Sequence, residues 1–346
     1  MKFKKLGHTN IDVSLICLGT MNMGEQNTQE ESFEQMDYSF EQGINFFDTA
    51  EVYAVPPRQE TQGKTEEIIG NWFFKSKKRE KIILATKMVG PGVEWIRNGG
   101  GNYTGENIAL AIEGSLKRLQ TDYIDLYQLH WPERNTNYFG KRNYEHDSKE
   151  GKWNDLEIVL KDLKKFVDQG KIKYIGVSNE TPWGLSKFLE IAEQLNLPRV
   201  VSVQNPYNLL NRAYDIGMSE ISCREKVGLL AYSPLAIGYL SGKYRDNQIP
   251  KNSRIGLFGD FWTRYKEDNA KKAVDDYYKL AKENGLTLTQ MSLAFVNSRP
   301  FMTSNIIGAT TMEQLKENIG TADIDLSDEI IEKINLIHSN NPNPTP

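Results

Sequence analysis

Four ionisable residues stand at or just beyond the ends of three short apolar runs, in an order that could do acid–base chemistry. Asp48 follows Ile44-Asn-Phe-Phe47, Lys87 follows Ile82-Ile-Leu-Ala-Thr86, and His130 follows Asp125-Leu-Tyr-Gln-Leu129; Tyr53 comes five residues after Asp48. If the runs are neighbouring parallel strands, about 4.8 Å apart, these side chains converge on one mouth. A lysine at the edge of a core is costly unless paired, and Asp48 can pair it. A free tyrosine, with a pKa of about 10, is a poor acid or base at pH 7. A nearby ammonium favours the phenolate and lowers that value. A histidine beside it can donate a hydrogen bond to a polarised oxygen or relay a proton. Together the set would supply a tuned proton donor facing a carbonyl oxygen. No member is a good covalent nucleophile in this setting, and no metal-ligand set accompanies it. No side chain donates hydride, so the missing reductant would be a nicotinamide, bound without a Rossmann motif. On spacing alone each residue keeps a plainer reading: Lys87 as a structural ion pair, Tyr53 as a loop aromatic, His130 as a satisfied histidine at the core edge.

The elements that must position them follow one rhythm. Apolar, β-rich runs at 15–19, 44–47, 82–85, 123–129, 173–177, 200–203, 228–231 and 304–307 each end in polar residues. They are apolar on both faces, which predicts parallel strands covered by helices. Helices are predicted at 30–42, 65–75, 105–119, 156–169, 182–194, 269–284 and 312–319. Thr104 and Thr181 serve as N-caps, Pro182 sits at a first helical position, and Gly43, Gly170, Gly285 and Gly320 stand at the ends. Alternating strands and helices of this number close most economically as a (β/α)8 TIM barrel of the α/β class. The stretch 2–13 reads as an N-terminal β-hairpin turning at His8-Thr9-Asn10. Long loops follow strands three, four and seven, the last two at 131–152 and 233–268. Loops after strands rise from the face where barrel enzymes keep their sites. Residues 1–340 are expected to be one domain and 341–346, rich in Asn and Pro, a flexible tail.

Composition narrows the function. The chain has 346 residues, 39% apolar and 25% charged, which excludes a disordered chain or a disulfide scaffold. The formal charge of −4 gives no general basic field, so a nucleic-acid partner is not expected. Cys17 and Cys223 lie far apart on apolar segments and read as buried thiols in a reducing cytosol. No apolar run reaches roughly 18 residues, and no h-region follows the basic start, so a cytoplasmic chain with no membrane partner is expected. Gln62-Gly-Lys-Thr65 mimics the end of a P-loop, but Arg58 stands where its first glycine belongs. Gly99-Gly-Gly101 and the run Glu145-His-Asp147 read as loop.

At greater length the residues carry a resemblance. Gly43-Ile-Asn-Phe-Phe-Asp48-Thr-Ala-Glu-Val-Tyr53, the run from Leu116 through Asp122 and Asp125 to His130, and Lys171-Ile-Lys-Tyr-Ile-Gly176-Val-Ser178-Asn179 resemble three strand signatures of the aldo-keto reductases. The likeness runs from Phe3 to about His338, and the stretches 55–63 and 203–211 resemble a bacterial branch of that family. It implies NADPH-dependent reduction of aldehydes or ketones, with Asp48, Tyr53, Lys87 and His130 as the catalytic tetrad. In that reading Tyr53 is the acid, Lys87 depresses its pKa, Asp48 compensates Lys87, and His130 orients the carbonyl. For the cofactor it implies Gly19, Thr20, Met21, Gln26 and Asp48 near the first strands, and Ser178, Asn179 and Gln204 at the carboxamide. Tyr232 would stack on the nicotinamide, while Ser233, Pro234, Leu235, Ala236, Leu240 and Lys243 would wrap the pyrophosphate. Gly308, Thr310 and Gln314, with Arg254, would meet the 2′-phosphate end; Glu317 and Asn318 would meet the adenine. Substrate would touch Tyr53, His130 and Trp131, with Trp95, Tyr138, Phe139 and Phe258 as further wall candidates. The resemblance also allows a different class, a slow-turnover NADP(H)-binding redox sensor similar to channel β-subunits. Oligomeric state is not legible.

Overall fold

A computed structural model describes residues 1–141, 143–259 and 265–345, the side chain of residue 98 excepted. The strands are β1 Phe3–Lys5, β2 Asp12–Ser14, β3 Ile16–Gly19, β4 Phe46–Asp48, β5 Ile83–Met88, β6 Ile124–Leu129, β7 Ile172–Ser178, β8 Val200–Pro206, β9 Gly228–Tyr232 and β10 Met302–Ile307. β1 and β2 pair antiparallel as the expected hairpin. The others close into a parallel barrel in the order β10-β3-β4-β5-β6-β7-β8-β9. The α/β (β/α)8 barrel is therefore the fold, with the hairpin in front of it.

The helices are α1 Gln29–Glu41, α2 Lys64–Ser76, α3 Gly105–Leu119, α4 Leu156–Asp168, α5 Pro182–Gln194, α6 Met218–Glu225, α7 Arg254–Phe258, α8 Asp268–Glu283, α9 Leu288–Asn297, α10 Met312–Gly320 and α11 Asp328–Asn340. Local chemistry explains their starts. Thr104 accepts from the Asn107 amide, Thr181 from Gly184 with Pro182 behind it, and Thr28 forms a full capping box with Glu31. Four helices, α6, α7, α9 and α11, lie where the sequence pattern predicts none. In α9 every residue but Gln290 is buried, so no polar face exists to reveal a helical period.

Alternation along the strands places the site. Cys17, Phe46, Ala85 and Leu126 point into the barrel, where Val201, Leu230 and Ile306 join them and Leu6 and Val13 of the hairpin region close the bottom. Ile16, Leu18, Phe47, Leu84 and Tyr127 point outward, into the layer beneath the helices. Two residues further on, the inward column of β4, β5 and β6 reads Asp48, Lys87 and Gln128. The register is staggered, as tilted barrel strands require: Asp48 pairs with Ala85, and Lys87 with Gln128. Hydrophobic layers thus give way to a polar layer at the C-terminal mouth, where barrel sites lie.

The long loops follow β5, β6 and β9 as expected. The last is not featureless: it holds single helical turns at 236–241 and 245–247 as well as α7. Residues 142 and 260–264 of the two longest loops, and 346 of the tail, lie outside the described residues. The tail expected to be flexible has partners up to Thr345, whose amide donates to the Leu210 carbonyl at 3.1 Å. The Asn343 side chain accepts from the Arg212 amide, and Thr345 is buried.

Candidate active site

The mouth of the barrel brings the first four predicted residues together. Lys87, wholly buried on β5, donates from Nζ to Asp48 Oδ2 at 2.7 Å and to the Thr49 carbonyl at 2.8 Å. Its Nζ also lies 3.4 Å from Tyr53 Oη. Tyr53 sits on the turn after β4, held by its amide on the Ala50 carbonyl and by the Gly63 amide on its own carbonyl. Its ring meets His130 edge-on, with centroids 5.8 Å apart.

Burial and charge set the protonation of each group. Burial pushes the Tyr53 phenol above its ordinary value, and the Lys87 charge pulls it back without winning. The resemblance implies a depressed phenol; the lysine acts in that direction, but burial is the larger effect. Tyr53 is accordingly a phenol at neutral pH, a donor in place. Burial disfavours the Lys87 cation, but Asp48 and Tyr53 more than restore it, and its pKa is raised. His130 is held well below the usual imidazole range by burial and by the Lys87 charge. It is a neutral ring with a single N–H to give, and its Nδ1 has no hydrogen-bond partner among the described residues.

A second cluster adjoins the first. Ser178 Oγ donates to the Gln204 carbonyl at 2.7 Å, and Asn179 donates to the His130 carbonyl at 2.9 Å. Tyr232 Oη donates to Asn179 Oδ1 at 2.7 Å. The Gln204 side-chain amide donates to Asp48 Oδ1 at 2.8 Å. Thr20 Oγ1 donates to the Asp48 carbonyl at 2.8 Å, so the first barrel loop is tied to the same strand. Gly19 has no room for a side chain, since a Cβ would stand 2.8 Å from the Ile307 carbonyl oxygen.

The loop after β9 begins with left-handed backbone at Ser233, and again at Ala236, Ile237 and Gly238. Leu240 is buried beneath it, and Pro234 and Leu235 complete the turn. Lys243 folds back along this loop; a Cβ on Gly238 would lie 2.9 Å from its Nζ. Burial and the neighbouring Arg254 charge lower the Lys243 pKa. Arg254, at the start of α7, is lowered to about 10 by burial. It reaches across the mouth to Asn22 Oδ1 and, at 3.5 Å, to Gln26 Oε1, with Met21 Sδ at 3.9 Å. Two cations held close in a partly dry site could seat an anion.

Sequence reasoning did not single out Asn22, which links this seat to the far end. Its side chain also donates to the Ala309 carbonyl at 3.3 Å, beside Thr310. Gln314 Oε1 accepts from the Thr310 amide at 3.0 Å and so folds back over the start of α10. Asn318 turns inward to the Gly308 carbonyl, and Glu317 accepts from Thr287 Oγ1. The structure therefore sets Arg254 against the first loop and Gln314 against α10, bridged through Asn22.

Around the rim, Trp131 packs 4.9 Å from the His130 ring and 5.5 Å from Phe139, which in turn meets Tyr138. Tyr103 Oη fixes the Trp131 carbonyl at 2.6 Å. Trp95 is exposed, and Phe258 packs against the outer core. Glu51 was also missed. It lies buried between Asp48 and Tyr53 and takes both arms of Arg97, at 2.7 and 2.8 Å, plus the Val89 amide. This clamp pins the loop after β5 to the Tyr53 turn; a partner 46 residues away leaves no local signal.

Comparison with known proteins agrees with this geometry. The profile described as "Aldo/keto reductase family" matches residues 15–338. The chain is 45% identical over 358 residues to "Protein tas" of Escherichia coli, covering all of both chains. It is 33% identical over 350 residues to "Uncharacterized oxidoreductase YrpG" of Bacillus subtilis, covering 100% of this chain and 98% of that one. An "Aldo-keto reductase" of Babesia bovis is 38% identical over 275 residues, 75% of this chain and 96% of its own. The chain belongs to the aldo/keto reductase family, and its chemistry is oxidoreduction.

Proposed function

We propose that the chain is an NADPH-dependent reductase of aldehydes and ketones. The observation that carries the reading is the wholly buried Lys87, 2.7 Å from Asp48 and 3.4 Å from the Tyr53 hydroxyl. A buried ammonium bonded to a carboxylate and leaning on a phenol has one clear use, stabilising that phenol as its proton leaves.

The residues at the mouth fit a nicotinamide dinucleotide. Ser178, Asn179 and Gln204 present amides and a hydroxyl where a carboxamide would be held, with Tyr232 beside them. The backbone of 233–238 and the Lys243 and Arg254 cations suit phosphate, and the start of α10 suits a further anion. When bound, the nicotinamide supplies hydride at its C4 position. The chain's own residues do the rest. His130 gives its one N–H to the carbonyl oxygen and fixes its direction. Tyr53 donates a second hydrogen bond to that oxygen and then its proton, as negative charge builds there. Lys87 meets the resulting phenolate, and Asp48 keeps Lys87 charged. Trp131, Tyr138 and Phe139 form an apolar, aromatic wall that suits carbonyls with apolar bodies.

Among the described residues no helix is long and apolar enough to cross a membrane, and no cluster of three or more His, Cys, Asp or Glu could hold a metal. We read residues 1–340 as one cytoplasmic domain.

Titration with NADPH and with NADH, followed by tryptophan quenching, tests the cofactor, and an aldehyde and ketone panel tests turnover. Micromolar NADPH binding with turnover of aromatic aldehydes is expected. Tight binding with negligible turnover would replace this reading with a redox-sensing one. Arg254→Ala should weaken NADPH by about 1.5–3 kcal/mol, the scale of a charge-assisted hydrogen bond, and spare NADH. Equal loss for both would show that Arg254 does not read the 2′-phosphate.

A further inference from the structure

Asp48 has two carboxylate oxygens, and Lys87 takes only one of them. The other, Oδ1, accepts from Gln204 at 2.8 Å and from Gln128 Nε2 at 3.3 Å. Gln128 Oε1 in turn accepts from Gln204 Nε2 at 3.3 Å. Gln128 is wholly buried, on β6, directly across from Lys87 and Gly176 in the strand register.

A glutamine is a costly choice here. Barrel layers are ordinarily filled by branched apolar side chains, and a buried amide costs free energy unless its hydrogen bonds are met. The barrel makes room for it: a Cβ on Gly176 would stand 3.1 Å from Gln128 Cγ. Among the described residues, the hydrogen-bond partners of the Gln128 side chain are Asp48 and Gln204. The Gln128 amide bonds to neither Lys87 nor Tyr53, so its effect on them passes through Asp48 and Gln204.

We infer that Gln128 is a positioning residue which holds the Asp48 carboxylate and the Gln204 amide together. Through Asp48 it sets the charge that Lys87 and Tyr53 experience. This rests on the proposed reductase function for its consequence in turnover. A carboxylate that loses its donors presents more unscreened negative charge, which opposes the phenolate of Tyr53. Among the described residues, the charged and titratable groups that face Tyr53 are Asp48 on β4, Lys87 on β5, His130 after β6 and Arg254 on α7; Cys17 on β3 lies near Asp48 and Lys87. None of these is altered by a change at 128.

The test places 3-fluorotyrosine at position 53 and follows its fluorine resonance against pH in the full chain. Gln128→Met removes the donor and keeps the length; Gln128→Leu does the same if the Met variant does not fold. Gln128→Glu keeps the shape and sets an acceptor where the donor stood. The Tyr53 titration should move upward by about one pH unit in the Met variant, the worth of one hydrogen bond to a charged group. It should move further in Gln128→Glu. With an aldehyde substrate, kcat for reduction should fall up to about tenfold, with KM little changed. An unmoved titration in the Met variant, or a shift in Gln128→Glu alone, overturns the inference. Absence of NADPH-dependent reduction in the unaltered chain would instead defeat the reductase reading, and the fluorine titration would still decide the role of Gln128.

Discussion

Lys87→Met is expected to yield a chain that folds and binds NADPH but loses carbonyl reduction by a factor of about 10²–10⁴, the usual contribution of a positioned acid. The methionine keeps most of the stem and removes the ammonium. Tyr53 then has burial acting on it without the lysine that opposes it, so its proton leaves with no cation to receive the phenolate. The cations proposed to hold phosphate, Lys243 and Arg254, lie on the loop after β9 and on α7 and are not disturbed. Stability should fall as well, by about 3–5 kcal/mol, because Asp48 is left buried without its counter-ion. The double variant Asp48→Asn with Lys87→Met removes both charges and should regain much of that stability while staying inactive. Steady-state rates, NADPH titration and thermal melts of the three proteins check each part. Reduction within about threefold of the unaltered chain would remove Lys87 from the chemistry.

Asp48→Asn should produce the opposite electrostatic fault, with a signature in pH. In the intact chain burial lowers the Lys87 pKa, but Asp48, with Tyr53, more than offsets it and holds the pKa above its ordinary value. The stability this contributes is fully present below the unfolded lysine pKa, about 10.4, and is lost only as pH rises through the higher folded value. Across the neutral range it is therefore flat. With asparagine at 48, burial dominates and the folded pKa of Lys87 falls below the unfolded one. The unfolded chain then binds the extra proton, so stability must rise with pH up to about 10.4. The expected loss at pH 7 is about 3–5 kcal/mol, recovering at most at about 1.4 kcal/mol per pH unit. Urea unfolding between pH 6 and 10 measures this. A variant whose stability stays flat over that range would show that Lys87 is not a buried charge held by Asp48.

The barrel was legible because short apolar runs alternate with helical segments, three of them giving way to Asp48, Lys87 or His130, and because Thr104, Thr181 and Pro182 mark helix starts. What sequence could not show is what leaves no period or local contact. Helix α9 is buried nearly all round and lacks a polar face; α6 spans only Met218–Glu225. Within the mouth, residues at strand ends were identifiable by position. The groups that hold them were not, because their partners are distant: Glu51 with Arg97, Asn22 with Arg254 and Ala309, Gln128 with Asp48 and Gln204. The tail shows the same limit. Its Asn and Pro content predicts fraying, yet Thr345 finds the Leu210 carbonyl, a contact that no composition rule contains.

Single-turnover transfer from NADPH deuterated at C4 to an aromatic aldehyde, in the unaltered chain and in Tyr53→Phe, examines the proposed chemistry at the reacting atoms. Deuterium should appear in the alcohol with the unaltered chain. Tyr53→Phe should bind NADPH equally and transfer at least about 100-fold more slowly. Transfer at an equal rate without the phenol, or no deuterium in the alcohol at all, would contradict a carbonyl reductase that draws its proton from Tyr53.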